Sequence, residues 1–285
     1  MGASPGFTCY RNVTIPITEV TKPYMKDPKP VFVVDTCIGG LSVVKSMWNA
    51  GRADDAVFLA DYAVNPLGLK SDSAIANVTN SWLRLAEEHS DTLVVACNTL
   101  SIRHHQLLRS EVPLSGLKHV VTMVDCFEAM VKVEVDRLAN RKVLIIGTEF
   151  TVSQPVYSDV LSAALPGVRI NSIAATDLER MIARFQPWEG RVNSVLASDL
   201  RQAIENTDIA VLACTCFPIV KAELESLFPG VIFLDPGAYC SGLLQESATA
   251  QSRKLHIKVT GNVVTGARVA EFAQSYLGNG AIVSL

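Results

Sequence analysis

Short apolar runs alternate with longer segments of helical period, and this alternation limits what the chain can fold into more than any other feature. VFVVD (31–35), AVFLAD (56–61), TLVVAC (92–97) and HVVTMVD (119–125) are almost continuously apolar. Such runs fit strands buried on both faces, as parallel strands are, better than strands with one wet face. Helical period fills the intervals at 40–50, 71–89 and 102–109. Strand then helix, repeated, predicts an α/β fold of three layers with mostly parallel sheets.

The second half repeats the plan. KVLIIG (142–147), VRINSIA (168–174), IAVLAC (209–214) and VIFLD (231–235) read as strands, with helices expected over 151–164, 177–185, 192–206 and 219–227. Asp35 and Gly147 each end the first strand of a half, 112 residues apart, and Cys97 and Cys214 each end a later strand, 117 residues apart. The matching offsets imply two pseudo-symmetric α/β lobes with a cleft between them. Residues 1–28 lack a sustained period and read as an N-terminal extension. After Asp235 a further helix and LHIKVTGN precede a last amphipathic segment, ARVAEFAQSYL, expected to pack back on the first lobe.

Composition narrows the function. With 49% hydrophobic and 19% charged residues the chain has material for a large core, and disorder is excluded. Twenty-five Lys and Arg against 28 Asp and Glu leave no basic face that would imply nucleic acid. No apolar run approaches the roughly 18 residues of a membrane span, and the N-terminus lacks a secretory pattern, so a cytoplasmic address is expected. Seven cysteines, an odd number spread over the chain, fit reduced thiols rather than a disulfide framework. No zinc-ligand spacing is complete and neither phosphate-loop glycine pattern is present, so no metal or nucleotide is expected.

Ligands of open parallel sheets collect where strands end. That rule selects Asp35 and Thr36, Asn65 to Gly68, Cys97 to Thr99, Gly147 and Thr148, and Cys214 to Cys216. Two cysteines at equivalent strand ends, each before a helix N-terminus that favours a thiolate, would face one another across the cleft. Asp35 is placed to accept or relay a proton, and Thr36, Asn98, Thr99 and Thr215 could hold a carboxylate. Buried packing is the competing reading of any cysteine, as helix capping is of Asp35, Asn98 and Thr215. Cys9, Cys37, Cys126 and Cys240 are read as packing.

DTCIGGLSV (35–43), NPLGLKS (65–71), ACNTLS (96–101), GTEFTVSQPVY (147–157) and ACTCFPIV (213–220) stand in the order found in glutamate racemases. The chain resembles that family and the wider aspartate/glutamate racemase superfamily from about Val31 to Gly278. The resemblance implies a cofactor-independent amino-acid racemase or epimerase in which one cysteine removes the α-proton and another returns a proton on the opposite face. Cys97 and Cys214 match these two positions, Asp35 the first-strand acid, and Thr36, Pro66, Leu67, Gly68, Asn98, Thr99 and Thr215 the substrate cradle. Thr148 matches the family's Gly-Thr region. It also implies lobe I over 29–121 plus 238–285, lobe II over 122–237, a small amino acid or related carboxylic acid as partner, and a homodimer.

Two departures bear on the chemistry. Cys216 stands where the family has the His of Cys-Thr-His, removing a neutral-pH proton carrier that a thiol acid would have to replace. Leu67 stands where the family has the Tyr of Pro-Tyr-Gly, so a substrate other than glutamate fits at least as well. A decarboxylase or a cis-trans isomerase of a small acid on the same scaffold, and a non-catalytic binder, are the alternative readings.

Overall fold

Apolar strands of this kind are stable only when both faces are covered, and the computed structural model shows how the chain covers them; it describes residues 29–51, 55–107, 117–244, 253–262, 264–278 and 280–285. The extension and Cys9 lie outside the described residues. In the first half β1 (Val31–Asp35), α1 (Gly40–Asn49), β2 (Ala56–Asp61), α2 (Asp72–His89), β3 (Thr92–Val95), α3 (Asn98–Leu107) and β4 (His119–Thr122) alternate. Two helices follow, α4 (Met123–Val133) and α5 (Val135–Leu138). The second half runs β5 (Lys142–Gly147), α6 (Glu149–Ser153), α7 (Val156–Ala164), β6 (Arg169–Ala174), α8 (Thr176–Ala183), α9 (Val192–Val195), α10 (Ser198–Glu205), β7 (Ile209–Leu212), α11 (Lys221–Leu227) and β8 (Ile232–Leu234). A 3-10 stretch, Pro236–Leu243, leads back to β9 (Arg253–Thr260), α12 (Gly266–Leu277) and β10 (Ala281–Ser284).

Every strand pair among the described residues is parallel. One sheet has the order β10-β9-β2-β1-β3-β4 and the other β6-β5-β7-β8. Within them β2-β1-β3-β4 and β6-β5-β7-β8 are the same arrangement, so β1 corresponds to β5 and β3 to β7. The chain turns one way from β1 to β2 and the other way into β3, and this reversal opens a crevice at the strand ends. The crossings between sheets run through α4 and the 236–243 stretch, which pack on each other beside the expected divisions at 121/122 and 237/238.

The period of two along each strand sorts the core. Phe32, Val34, Leu93 and Val95 pack on one side of the first sheet, with Trp82 of α2. Val33 and Val94 point the other way, into a core continuous with Leu144, Ile146, Ala210 and Leu212 of the second sheet. The lobes therefore share buried surface beneath the cleft. Asp61 is paired through both carboxyl oxygens: Trp82 Nε1–H donates to Asp61 Oδ2 at 2.6 Å, and Thr260 Oγ1–H donates to the other Asp61 oxygen, tying α2 and β9 to β2.

Boundaries differ from the sequence reading where local chemistry overrides apolar period. β3 stops at Val95 and β7 at Leu212, which places Cys97 and Cys214 in loops rather than in strands. HVVTMVD divides at Thr122, whose hydroxyl and Asp125 form a reciprocal capping box that starts α4. The helix expected over 151–164 is two helices, because Pro155 has no N–H to continue the first. The helix expected over 192–206 is likewise interrupted, between Val195 and Ser198. The last helix does pack back on lobe I, and Lys45 Nζ lies 4.0 Å from the Tyr276 ring centre.

Candidate active site

The strand ends of both lobes open into one cavity of about 530 Å³. Lobe I contributes Asp35, Thr36, Pro66, Leu67, Gly68, Cys97, Asn98 and Thr99, and lobe II contributes Thr148, Cys214 and Thr215. Asn65 lines it as well, so of the residues that the strand-end rule selects only Gly147 and Cys216 do not line the cavity; Cys216 is fully buried behind the wall. Its position follows from the tight turn after β7, where Phe217 N–H donates to Cys214 O at 3.0 Å and Cys216 opens a short 3-10 turn.

Asp35 sits at the centre of the lobe contact. One carboxyl oxygen accepts from Thr36 N–H at 2.7 Å and the other from Thr215 Oγ1–H at 2.8 Å, so a residue of lobe II completes the environment of an acid in lobe I. Burial pushes this carboxyl up to about 7, although its hydrogen bonds pull the other way. The backbone of Gly40, the first residue of α1, is among the hydrogen-bond partners that pull the Asp35 carboxyl down, and Gly39 holds the N-cap position without a side-chain cap. A Cβ there would stand 2.6 Å from Thr215 Oγ1, 2.8 Å from Cys216 N and 2.9 Å from Asp35 Oδ2. Gly39 has φ −52°, so its need is for space rather than for unusual backbone. Gly39→Ala is accordingly expected to push the two loops apart and cost about 1–3 kcal/mol, read as a lowered urea midpoint. An unchanged midpoint would mean the loops yield freely.

Other bonds cross the cleft. Ser42 Oγ–H donates to Thr215 O at 3.0 Å, Tyr62 O–H to Ala183 O at 2.9 Å, and Tyr157 O–H to Asn98 Oδ1 at 2.5 Å. Asn98 thus has its orientation fixed by lobe II at the mouth of α3, next to Cys97. Thr148 caps α6 and its hydroxyl lies 3.2 Å from that of Thr151.

The two cysteines are nearly but not fully enclosed, Cys97 being 5% and Cys214 8% exposed. Burial, and then the nearby Asp35 carboxyl, push the Cys97 thiol well above its ordinary range. Raised in this way, the Cys97 thiol favours its protonated form.

Sequence reasoning missed several groups. Tyr62 and Glu179 line the cavity, and Asn65 hydrogen-bonds the Glu179 carboxyl, which burial nonetheless pushes up. Glu179 comes from α8 and carries no motif; only the lobe contact brings it to the site. Phe150 packs over Gly68, where a Cβ would meet it at 2.8 Å. Cys37, read as packing, lines the cavity and touches Cys216, Sγ to Sγ 3.3 Å. No histidine lines the cavity among the described residues.

Cys37, Glu179 and Cys216 are the group, among the described residues, with ligand-type atoms close enough for a metal, all within 4.8 Å of one another. Two thiolates on one zinc stand about 3.7 Å apart for bonds of about 2.3 Å. The observed 3.3 Å is the spacing of a thiol–thiol hydrogen bond instead.

The description "Asp/Glu/Hydantoin racemase" belongs to the family model that matches residues 66–240, more than half of the chain. The chain belongs to the Asp/Glu/Hydantoin racemase family. It is an isomerase of the racemase class. It is 25% identical over 262 residues to a glutamate racemase of Latilactobacillus sakei subsp. sakei, covering 87% of this chain and 91% of that one. A glutamate racemase of Vibrio campbellii is 29% identical over 242 residues, 80% of this chain and 86% of its own. The crystal structure of glutamate racemase from Campylobacter jejuni subsp. jejuni superposes with TM-score 0.68 at 25% identity, covering 87% of this chain and 97% of that one.

Proposed function

We propose that this chain racemises a free amino acid with Cys97 and Cys214 as the two proton carriers and with no cofactor or metal. The observation that carries the reading is that the two thiols follow the equivalent strands β3 and β7 and line one cavity with Asp35 between the lobes. A substrate α-ammonium placed by Asp35 supplies the positive charge that favours a thiolate in this buried setting. Amides and hydroxyls of Thr36, Asn98, Thr99 and Thr215 are of the kind that holds an α-carboxylate without neutralising it, which lets negative charge develop at Cα. The thiolate on one face takes the α-proton, and the thiol on the other returns one. Thr148 borders the same space from α6.

Cys216 does not line the cavity, so in this reading it acts on Cys214 and not on the substrate. Leu67, 2% exposed, and Phe150 make one wall apolar. That wall supports an amino acid with a less polar side chain than glutamate, because a polar group set against it would lose hydrogen bonds to water.

The test is proton NMR of α-hydrogen loss in deuterated water, with reduced, metal-free protein and a panel of L- and D-amino acids. Exchange of one compound from both enantiomers is the expected result and names the substrate. Silence across the panel would sink the reading.

A further inference from the structure

Three ligand-type side chains meet at the lobe contact from distant parts of the chain. Cys37 Sγ and Cys216 Sγ are 3.3 Å apart, and the Glu179 carboxylate joins them, with all three ligand atoms within 4.8 Å of one another. Cys37 precedes α1 in lobe I, whereas Glu179 on α8 and Cys216 after β7 come from lobe II. Backbone packing holds these loops together. A Cβ on Gly39 would stand 2.8 Å from Cys216 N, and Ser42 Oγ–H donates to Thr215 O at 3.0 Å. The fold itself therefore presents the two sulfurs side by side.

The surroundings favour a cation. Both thiols are buried, and the Asp35 and Glu179 carboxyls stand close enough to disfavour charge on Cys37. Arg180, the basic residue next to Glu179 on α8, is half-exposed and pairs with Asp177 at 2.7 Å. Two sulfurs with one carboxylate are a donor set that suits zinc, whereas Mg²⁺ and Ca²⁺ take oxygen ligands.

We propose that Cys37, Glu179 and Cys216 form a zinc-binding site that clips the two lobes together. On uptake each thiol releases its proton to solvent, and the ion gains two Zn–S bonds of about 2.3 Å and one Zn–O bond of about 2.0–2.2 Å. Two sulfurs on one zinc stand about 3.7 Å apart, so the hydrogen-bonded pair has to open by about 0.4 Å, a shift that side-chain rotation supplies. Cys37 and Glu179 line the cavity, so the fourth position falls to a water or small ligand entering from it. The site itself does not depend on the two-thiol racemase reading. If that reading holds, a bound ion withdraws the Cys216 thiol from Cys214 and opposes turnover.

The test titrates the reduced, metal-free full chain with Zn²⁺ in competition with a chromophoric chelator, and repeats the titration with Co²⁺ as a spectroscopic probe. One zinc per chain and thiolate-to-cobalt charge-transfer absorption that saturates at one equivalent are the expected results. Cys37→Ser and Cys216→Ser are each expected to weaken zinc binding about 100-fold and to lower the charge-transfer intensity, and Glu179→Gln to weaken binding about ten-fold while keeping the absorption. Glu179→Gln conserves size and keeps the test open where a cysteine variant fails to fold. Cys97→Ser removes another thiol from the same cavity and should leave zinc affinity unchanged. Zinc should raise the thermal midpoint of wild type by a few degrees and that of Cys37→Ser far less. Cobalt binding without charge transfer would overturn the proposal, as would a loss in Cys97→Ser equal to that in Cys37→Ser, which marks adventitious capture by thiols. Wild-type affinity in Cys37→Ser would confine the ion to lobe II and overturn it equally. None of these outcomes requires an amino acid to exchange, so failure of the racemase reading is seen separately, as silence in the proton-exchange panel.

Discussion

Cys97→Ser and Cys214→Ser are each expected to lower racemisation by about 10²–10⁴-fold, the contribution of a well-placed proton carrier. A hydroxyl is close to a thiol in size, so the change removes acidity while sparing most of the packing. Cys97 lies in the core on one side of the first sheet and Cys214 in the core the lobes share, both with little exposure. Each substitution buries a slightly more polar group, and thermal melting should show a modest loss of stability, not unfolding. The informative part is the asymmetry. With one thiol on each face, each single variant loses exchange mainly from the enantiomer whose proton its own cysteine removes. A one-base mechanism would lose both together. Either variant racemising at more than a tenth of the wild-type rate would eliminate the two-thiol assignment.

That assignment was open to sequence reasoning because Cys97 and Cys214 are close to strand ends, and strand ends are marked by apolar runs. Asp35, Pro66 and Thr148 were found by the same rule. The rule fails for groups that reach the cavity only through lobe packing. Glu179 sits on α8, whose sequence TDLERMIA reads as an ordinary amphipathic helix, and Tyr157 meets Asn98 across 59 residues of sequence. Cys37 looked like packing because its partner is 179 residues away. Element boundaries failed for a different reason. In HVVTMVD the apolar period cannot separate strand from helix, and the deciding signal was the Thr122 and Asp125 pair three residues apart. β10, four residues of AIVS, is too short for period to mark, and its pairing with β9 supplies what its sequence does not.

Asp35→Asn is expected to inactivate the enzyme while making the fold more stable above mildly acidic pH. The carboxyl titrates at 3.8 in the ordinary state and about 7 when buried here. Between those values the folded protein holds a proton that the unfolded chain releases, so wild-type stability falls as pH rises from about 4 to about 7 and is flat above. At 1.36 kcal/mol per pKa unit the whole effect approaches ~4 kcal/mol. The amide escapes this loss and fits the same bonds: its oxygen accepts from Thr36 N–H, and its nitrogen donates to Thr215 Oγ1, whose hydroxyl rotates to accept. Urea unfolding at pH 5 and pH 8 checks it, since the advantage of the variant should widen by a few kcal/mol between them; a constant difference would show that Asp35 is not held neutral. The same burial makes ligand binding a proton-linked event. Below pH 7 an amino acid whose ammonium is bound by the Asp35 carboxylate must expel the proton held there, so calorimetric binding heats at pH 6 should change with the ionisation enthalpy of the buffer. In Asp35→Asn that dependence should vanish. On the proposed reading, the acid sits in a site that destabilises its charge until a cationic ligand arrives, which places the loss of stability and the capacity to bind on the same carboxyl group.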